Sequence, residues 1–271
     1  MIGLYITLGL LALLFVLYVL SLKGRKGHKN IRKLRKFSYA HRGLHGNGAP
    51  ENSLWAFRLA RDKGYGIELD VHLMKDGKLA VIHDSSLLRT AGIDVQVEEL
   101  TAKELRIFRL EGTEERVPLF HQVLELYQGY APLIIELKTH RGNHAQLCQA
   151  VCDLLDGYDG LYCIESFDPR CIGWLKKHRR SLIRGQLAEN FFRSGSSMAF
   201  ALKLLMSWQL THFLTLPDFV AFKYRDRKNL GTFLSRKLWG AQGVSWTLKT
   251  QEELDIAEKE GWIPIFEGFT P

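Results

Sequence analysis

Apolar positions follow two different rhythms along this chain. From Ile2 to Leu22 they are continuous: 21 residues without a charge, interrupted only by Thr7, Tyr18 and Ser21 as mild polar side chains. At ~1.5 Å of rise per residue, a helix of that length crosses a hydrocarbon layer of ~30 Å. No basic residue precedes the run and no small-residue cleavage pattern follows it, so the expectation is an uncleaved anchor over residues 1–22. Beyond residue 36 the rhythm changes. Short apolar runs alternate with longer stretches of helical period, the pattern of a parallel α/β fold.

The strand-like runs are Phe37–Ala40, Gly66–Val71, Leu79–His83, Leu133–Leu137, Leu161–Ser166, Leu182–Leu187, Phe219–Phe222, Gly243–Trp246 and Ile263–Phe266. Helices are expected over Ser53–Lys63, Leu119–Tyr127, His144–Leu155, Pro169–His178, Met198–Phe213, Gly231–Trp239 and Gln251–Glu260. That is one strand more than an eight-stranded barrel needs. The joint from Val71 to Leu79 is too short for a parallel crossover and contains Asp76-Gly77, a hairpin turn signal. A tight reversal there brings His83 back beside Glu68. The expected architecture is α/β, a TIM-type (β/α)8 barrel over residues 37–271, with residues 84–116 as a small irregular insertion.

Charge sharpens the picture. Of the 37 Lys and Arg, eight lie in residues 1–36, which hold no acid; the other 29 face 29 Asp and Glu, so the domain is formally neutral. A basic juxtamembrane segment, residues 23–36, therefore follows the anchor. Such a segment sets orientation, with the domain on the cytoplasmic side, and can lie on anionic headgroups. A nucleic-acid surface would need its positive charge on the domain itself, and none is expected. Cys148, Cys152, Cys163 and Cys171 form no C-x-x-C pair and read as small apolar fillers.

Five polar features stand at the ends of strand-like runs, where a barrel builds its active site. They are His41-Arg42-Gly43, Glu68-Leu69-Asp70, His83-Asp84, Glu136-Leu137-Lys138 and Trp246. Alternation along a strand points Glu68 and Asp70 to one face. Three carboxylates in one mouth repel each other unless a cation sits among them. Oxygen ligands suit a hard divalent ion, Mg²⁺ or Ca²⁺. Glu68, Asp70 and Glu136 are the expected ligands, and Arg42 and Lys138 add charge for gripping a phosphate. His41 and His83 read as a proton-transfer pair, since imidazole titrates near neutrality.

The motifs HRG (His41–Gly43), PENS (Pro50–Ser53), ELDVHLMKDG (Glu68–Gly77), VIHD (Val81–Asp84), IELK (Ile135–Lys138) and VSWT (Val244–Thr247) together resemble the glycerophosphodiester phosphodiesterase family. The resemblance implies a PLC-like phosphodiesterase barrel that hydrolyses glycerophosphodiesters to sn-glycerol 3-phosphate and an alcohol with a divalent cation. By motif, it implies that His41 and His83 are the acid–base pair and that Glu68, Asp70 and Glu136 hold the metal. Arg42 and Lys138 then contact phosphate, Trp246 lines the substrate pocket, and Glu51 orients Arg42. Asn52 or Ser53 is expected to cap the following helix. The ending Glu267–Pro271 lacks the family's usual acidic residue after Thr, which counts against a pocket role for the extreme C-terminus.

The apolar stretch Met198–Phe213 reads first as a barrel helix packed on the sheet. The sharper alternative is an interfacial helix that brings a lipid substrate to the site. His140 and His144 read as loop polar residues rather than a second metal site. Three functions compete. One is hydrolysis of soluble glycerophosphodiesters, and the second is lysophospholipase D action on lysophospholipids at the membrane. The third is a catalytically silent, membrane-tethered module that binds lipid headgroups; such a module would have lost a histidine or a metal carboxylate, and this chain keeps them all. The oligomeric state stays open.

Overall fold

The computed structural model describes residues 1–271. In chain order it runs α1 (Ile2–Ser21), α2 (Ile31–Leu34), β1 (Tyr39–His41), α3 (Leu54–Asp62), β2 (Gly66–Leu73), β3 (Leu79–Val81), α4 (Leu88–Ala91), α5 (Ala102–Leu105), α6 (Phe120–Tyr127), β4 (Leu133–Leu137), α7 (His144–Leu155), β5 (Tyr162–Ser166), α8 (Pro169–His178), β6 (Arg184–Ala188), α9 (Phe200–Ser207), α10 (His212–Thr215), β7 (Phe219–Lys223), α11 (Leu230–Lys237), β8 (Gln242–Leu248), α12 (Gln251–Lys259) and β9 (Trp262–Phe266). Strands β1, β2 and β4–β9 pair in parallel, and β1 bonds both β2 and β9, which closes an eight-stranded barrel. The ninth strand, β3, folds back antiparallel on β2 through the Asp76-Gly77 reversal, with Gly77 at φ +79°. There glycine adopts a left-handed turn without the steric cost of a side chain.

Strand alternation sorts the side chains. On β2, Ile67, Leu69 and Val71 face the helices while Glu68 and Asp70 face inward; on β4, Leu133, Ile135 and Leu137 face out and Ile134 and Glu136 face in. The outward residues join Phe57, Val123, Leu147, Val151 and Leu175 in the layer between strands and helices. A second cluster (Leu34, Tyr39, Cys163, Phe219, Val244 and Ile263 among others) fills the barrel interior towards the strand N-termini. The insertion has a small core of its own around Leu87, Val97, Leu105 and Leu110. All four cysteines are free and buried.

Two expectations need correction. Met198–Phe213 is not one helix on the sheet: α9 ends at Ser207, Gln209 stands at φ +60°, and α10 begins at His212. Only Met206 and Ser207 of α9 are buried, while Phe200, Leu202 and Leu204 point to solvent. Arg25, expected among headgroup-facing basic residues, is built into the barrel. Its guanidinium meets Asp218 (Nε–Oδ1 2.6 Å, Nη2–Oδ2 2.5 Å) and donates to Leu182 O, while its backbone N–H donates to Pro217 O. Helix α1 itself is long and apolar enough to cross a membrane, and none of its residues is fully buried in the protein.

Candidate active site at the barrel rim

Each strand end contributes a polar side chain for the same local reason: the last inward residue is the first with no neighbour above it to pack on. In the β2–β4 register Asp70 stands beside Glu136, and the carboxylates of Glu68, Asp70 and Glu136 come within 4.8 Å of one another. All three are buried. Burial, followed by the repulsion of Asp70, Glu136 and Glu165, raises the Glu68 carboxyl well above the usual range. Glu136 is pushed up to about 7, by burial first and by Asp70, against the pull of Lys138. Burial acts on Asp70 too, but Lys138, His83 and Arg42 outweigh it and hold this carboxyl well below the ordinary value.

The cations are interleaved with these acids. Lys138 Nζ lies 2.7 Å from Glu136 Oε1 and 2.9 Å from Asp70 Oδ1. Arg42 Nε is 3.4 Å from Asp70 Oδ2, and its Nη1 donates to Glu51 Oε1 at 3.0 Å. Arg42 stands at φ +53°, a left-handed conformation uncommon for a non-glycine residue. Glu51 is shared: Arg89 donates to both of its oxygens and also reaches Asp84 at 2.5 Å. Ser53, not Asn52, caps α3 by accepting from Ala56 N, and Asn52 donates to Asp70 instead.

Both imidazoles are held at Nδ1. In His41 that atom lies 2.7 Å from Glu267 Oε2, and in His83 it lies 2.6 Å from Asp84 Oδ1. Burial lowers both pKa values, only partly opposed by Glu267 at His41 and by Asp70 at His83. With Nδ1–H donated to a carboxylate, each ring presents Nε2 to the cavity. His41 Nε2 is 3.8 Å from Glu68 Oε2.

The site cavity is about 250 Å³, and His41, Arg42, Glu68, His83, Glu136, Lys138 and Trp246 all line it. Its far wall is Phe167, whose ring packs edge-on against Trp246 at 5.8 Å, and Lys223, which stands 5.7 Å from the Trp246 ring and 2.8 Å from Glu189. Of the other sequence candidates, His140 approaches Glu98 at 3.7 Å and His144 bonds the Gly142 carbonyl, so the two do not converge. His72 meets Glu98 at 2.7 Å and, through Nε2, the His83 carbonyl, so it supports the strand end that carries His83.

Sequence reasoning missed Glu165, Lys223 and Glu267. All three follow the strand-end rule that found the others. Glu165 pairs in register with Glu136, is buried, and leaves Oε2 without a hydrogen-bond partner. Glu267, at the start of the C-terminal ending, bonds His41 across the barrel seam without lining the cavity itself.

The donor set fits a hard divalent cation. Asp70 Oδ1 is buried, and the group beside it is the Lys138 ammonium at 2.9 Å, so these acids already stand against positive charge. The three clustered oxygens are of the type that Mg²⁺ and Ca²⁺ take.

Residues 41–190 match the model of the glycerophosphoryl diester phosphodiesterase family. A glycerophosphodiester phosphodiesterase from Bacillus altitudinis is 42% identical over 107 residues, covering 37% of this chain and 43% of its own length. A lysophospholipase D from Rattus norvegicus is 34% identical over 132 residues, covering 44% of this chain and 40% of its own. The matches thus span less than half of either relative. Among solved structures, an Oleispira antarctica phosphodiesterase in complex with sn-glycerol-3-phosphate superposes with a TM-score of 0.73. It is 21% identical, and the match covers 87% of this chain and 94% of the other.

Proposed function

We infer the reaction from one premise: the chain belongs to the glycerophosphoryl diester phosphodiesterase family. The function that the site supports best is hydrolysis of glycerophosphodiesters to sn-glycerol 3-phosphate and an alcohol. One observation carries it: three buried carboxylates and two carboxylate-anchored imidazoles converge on a single small cavity.

In this reading Glu68, Asp70 and Glu136 hold a divalent cation, Mg²⁺ or Ca²⁺, which supplies Lewis-acid stabilisation of charge on phosphoryl oxygens. Arg42 and Lys138 bind the phosphate from the sides, and their own carboxylate partners hold them in place. An oxygen nucleophile attacks phosphorus as the bond from phosphorus to the alcohol oxygen breaks. One imidazole Nε2 takes the nucleophile's proton and the other delivers a proton to the leaving alkoxide. The lowered pKa values keep the accepting ring neutral and ready to take its proton, while the delivering ring enters the step as imidazolium, its Nε2 proton taken up from water, and leaves it neutral. Trp246 and Phe167 give the glycerol or alcohol part an apolar wall.

Helix α1 supports a single-pass membrane anchor, and the basic residues after it support a cytoplasmic domain. A second reading, lysophospholipase D action, is favoured by the exposed apolar residues of α9 and by the name of the rat relative. Release of glycerol 3-phosphate or lysophosphatidate from glycerophosphocholine and lysophosphatidylcholine, with Mg²⁺, Ca²⁺ or chelator, tests both readings. No product from any glycerophosphodiester with either cation would remove the enzymatic reading.

A further inference from the structure

Helix α1 does not end in a free linker. Its last turn is already part of the domain. The Tyr18 ring packs edge-on against Trp208 at 5.6 Å, Trp239 Nε1 donates to Val19 O at 2.8 Å, and Leu22 is fully buried. Gly231 makes room for this contact, since a Cβ there would lie 2.7 Å from the Tyr18 hydroxyl. The 20 residues of α1 give about 30 Å of helix, no more than the hydrocarbon layer needs. A bilayer crossed by α1 must therefore reach its polar boundary within about one helical turn of Tyr18. Whatever surrounds Tyr18 lies at that boundary too.

Around it are exposed apolar side chains with a few polar ones, Asn190, Arg193 and Asn229, among them: Phe200 on α9 is 73% exposed, Trp208 after it 46% and Leu230 on α11 49%. Phe213 and Leu214 on α10 and Phe233 on α11 are also exposed. Tyr18, Trp208 and Trp239 form the kind of aromatic belt that marks a membrane–water interface. Lys23 stands over Trp239, with its ammonium 6.0 Å from the ring, as a basic residue would beneath anionic headgroups. This face also adjoins the site. Asn190 and Phe192 line the cavity of about 500 Å³ beside Tyr18, and the preceding residue, Glu189, lines the site cavity.

We propose that the face formed by α9, α10 and α11 lies in the headgroup zone of the bilayer that α1 enters, with the β6–β7 side of the catalytic rim opening at the lipid surface. The proposal rests on the membrane-span reading of α1. The occupant of the face is lipid, because the face joins α1 directly through Tyr18, Trp208 and Trp239, so a bilayer that accepts α1 meets these side chains as well.

The full chain, reconstituted in phosphatidylcholine–phosphatidylglycerol vesicles with chains brominated near the headgroup, tests this by tryptophan fluorescence. Retention after a carbonate wash reports the span, and hydrolysis of glycerophosphocholine on the same vesicles reports the chemistry separately. The expected result is retention, with lipid quenching that falls by about half in Trp208→Phe, since Trp208 and Trp239 are the two tryptophans at this boundary. Trp239→Phe should remove much of the remainder. Release by the wash overturns the proposal. So does quenching that is unchanged in both variants while aqueous iodide reaches Trp208, and so does a Trp208 shielded from both quenchers, which would put a second protein chain on the face.

Discussion

The imidazole of His41 and the carboxylate of Glu267 meet at 2.7 Å across the seam where β1 pairs with β9, so the first and last strands of the barrel share one hydrogen bond at the catalytic rim. In the proposed mechanism Glu267 positions His41. Glu267→Gln is expected to lower kcat by roughly 100-fold, the cost of a catalytic group misplaced by about 1 Å, with KM for glycerophosphocholine nearly unchanged. Because Glu267 raises the His41 pKa against burial, the pH–rate limb that belongs to His41 should also move to lower pH. A purely structural contact would leave the pH profile in place, so the profile is the deciding measurement.

His41→Ala and His83→Ala should each reduce kcat by about 10²–10⁴-fold, the usual contribution of a general acid or base, while circular dichroism and melting temperature stay close to wild type. Combining them should cost little more than the worse single change, because the two act in one reaction. Full turnover in either single variant would end the proposed mechanism.

Metal binding has a readout apart from catalysis. Glu68, Asp70 and Glu136 repel each other while buried, so a divalent cation at about 100 times its Kd should stabilise the fold by about 2.7 kcal/mol. For a barrel of this size that shifts Tm by several degrees, at roughly 2–4 °C per kcal/mol. Glu68→Gln should raise the Tm measured in chelator, since it removes the cost of burying a carboxyl whose pKa burial and its acidic neighbours push up, and should abolish the rise on adding Mg²⁺ or Ca²⁺. Scanning calorimetry on the purified chain decides both.

His212 on α10 is fully buried, and burial, partly opposed by the Leu22 backbone, lowers its pKa to about 3. The unfolded chain binds a proton near pH 6.5 that the folded chain refuses. Stability therefore falls with pH from about 6.5 towards 3. Between pH 6.5 and 5 this one residue should cost about 1.6 kcal/mol, the slope rising from half of 1.36 kcal/mol per pH unit at pH 6.5 to nearly all of it at pH 5. Chemical unfolding of wild type against His212→Leu should show a shallower acid loss in the variant. Parallel slopes would mean that His212 titrates normally.

The barrel was legible in the sequence because its strands are short, apolar and separated by stretches of helical period; the extra strand was legible because Asp76-Gly77 leaves room for nothing but a reversal. The site was legible where a motif placed a polar residue after an apolar run, as at Glu136. Glu165, Lys223 and Glu267 follow the same rule but end strands whose companions gave no second hint. The break between α9 and α10 was hidden because it depends on Gln209 taking a left-handed conformation, which its residue type does not announce. The outward face of α9 was hidden for a different reason. Apolar periodicity reports that a surface avoids water, and both a sheet and a bilayer satisfy that.

Arg25 gives the junction behind α1 an unexpected property. It is held by Asp218 and by the Leu182 carbonyl on one side, and it is covalently continuous with α1 on the other. A protease that clips the chain between Lys26 and Asn30 would leave Arg25 seated in the domain, and the nicked enzyme would stay where it was. With α1 spanning a membrane as proposed, release of the domain would require that clasp to be lost as well as the peptide bond, so a single cut would not set it free.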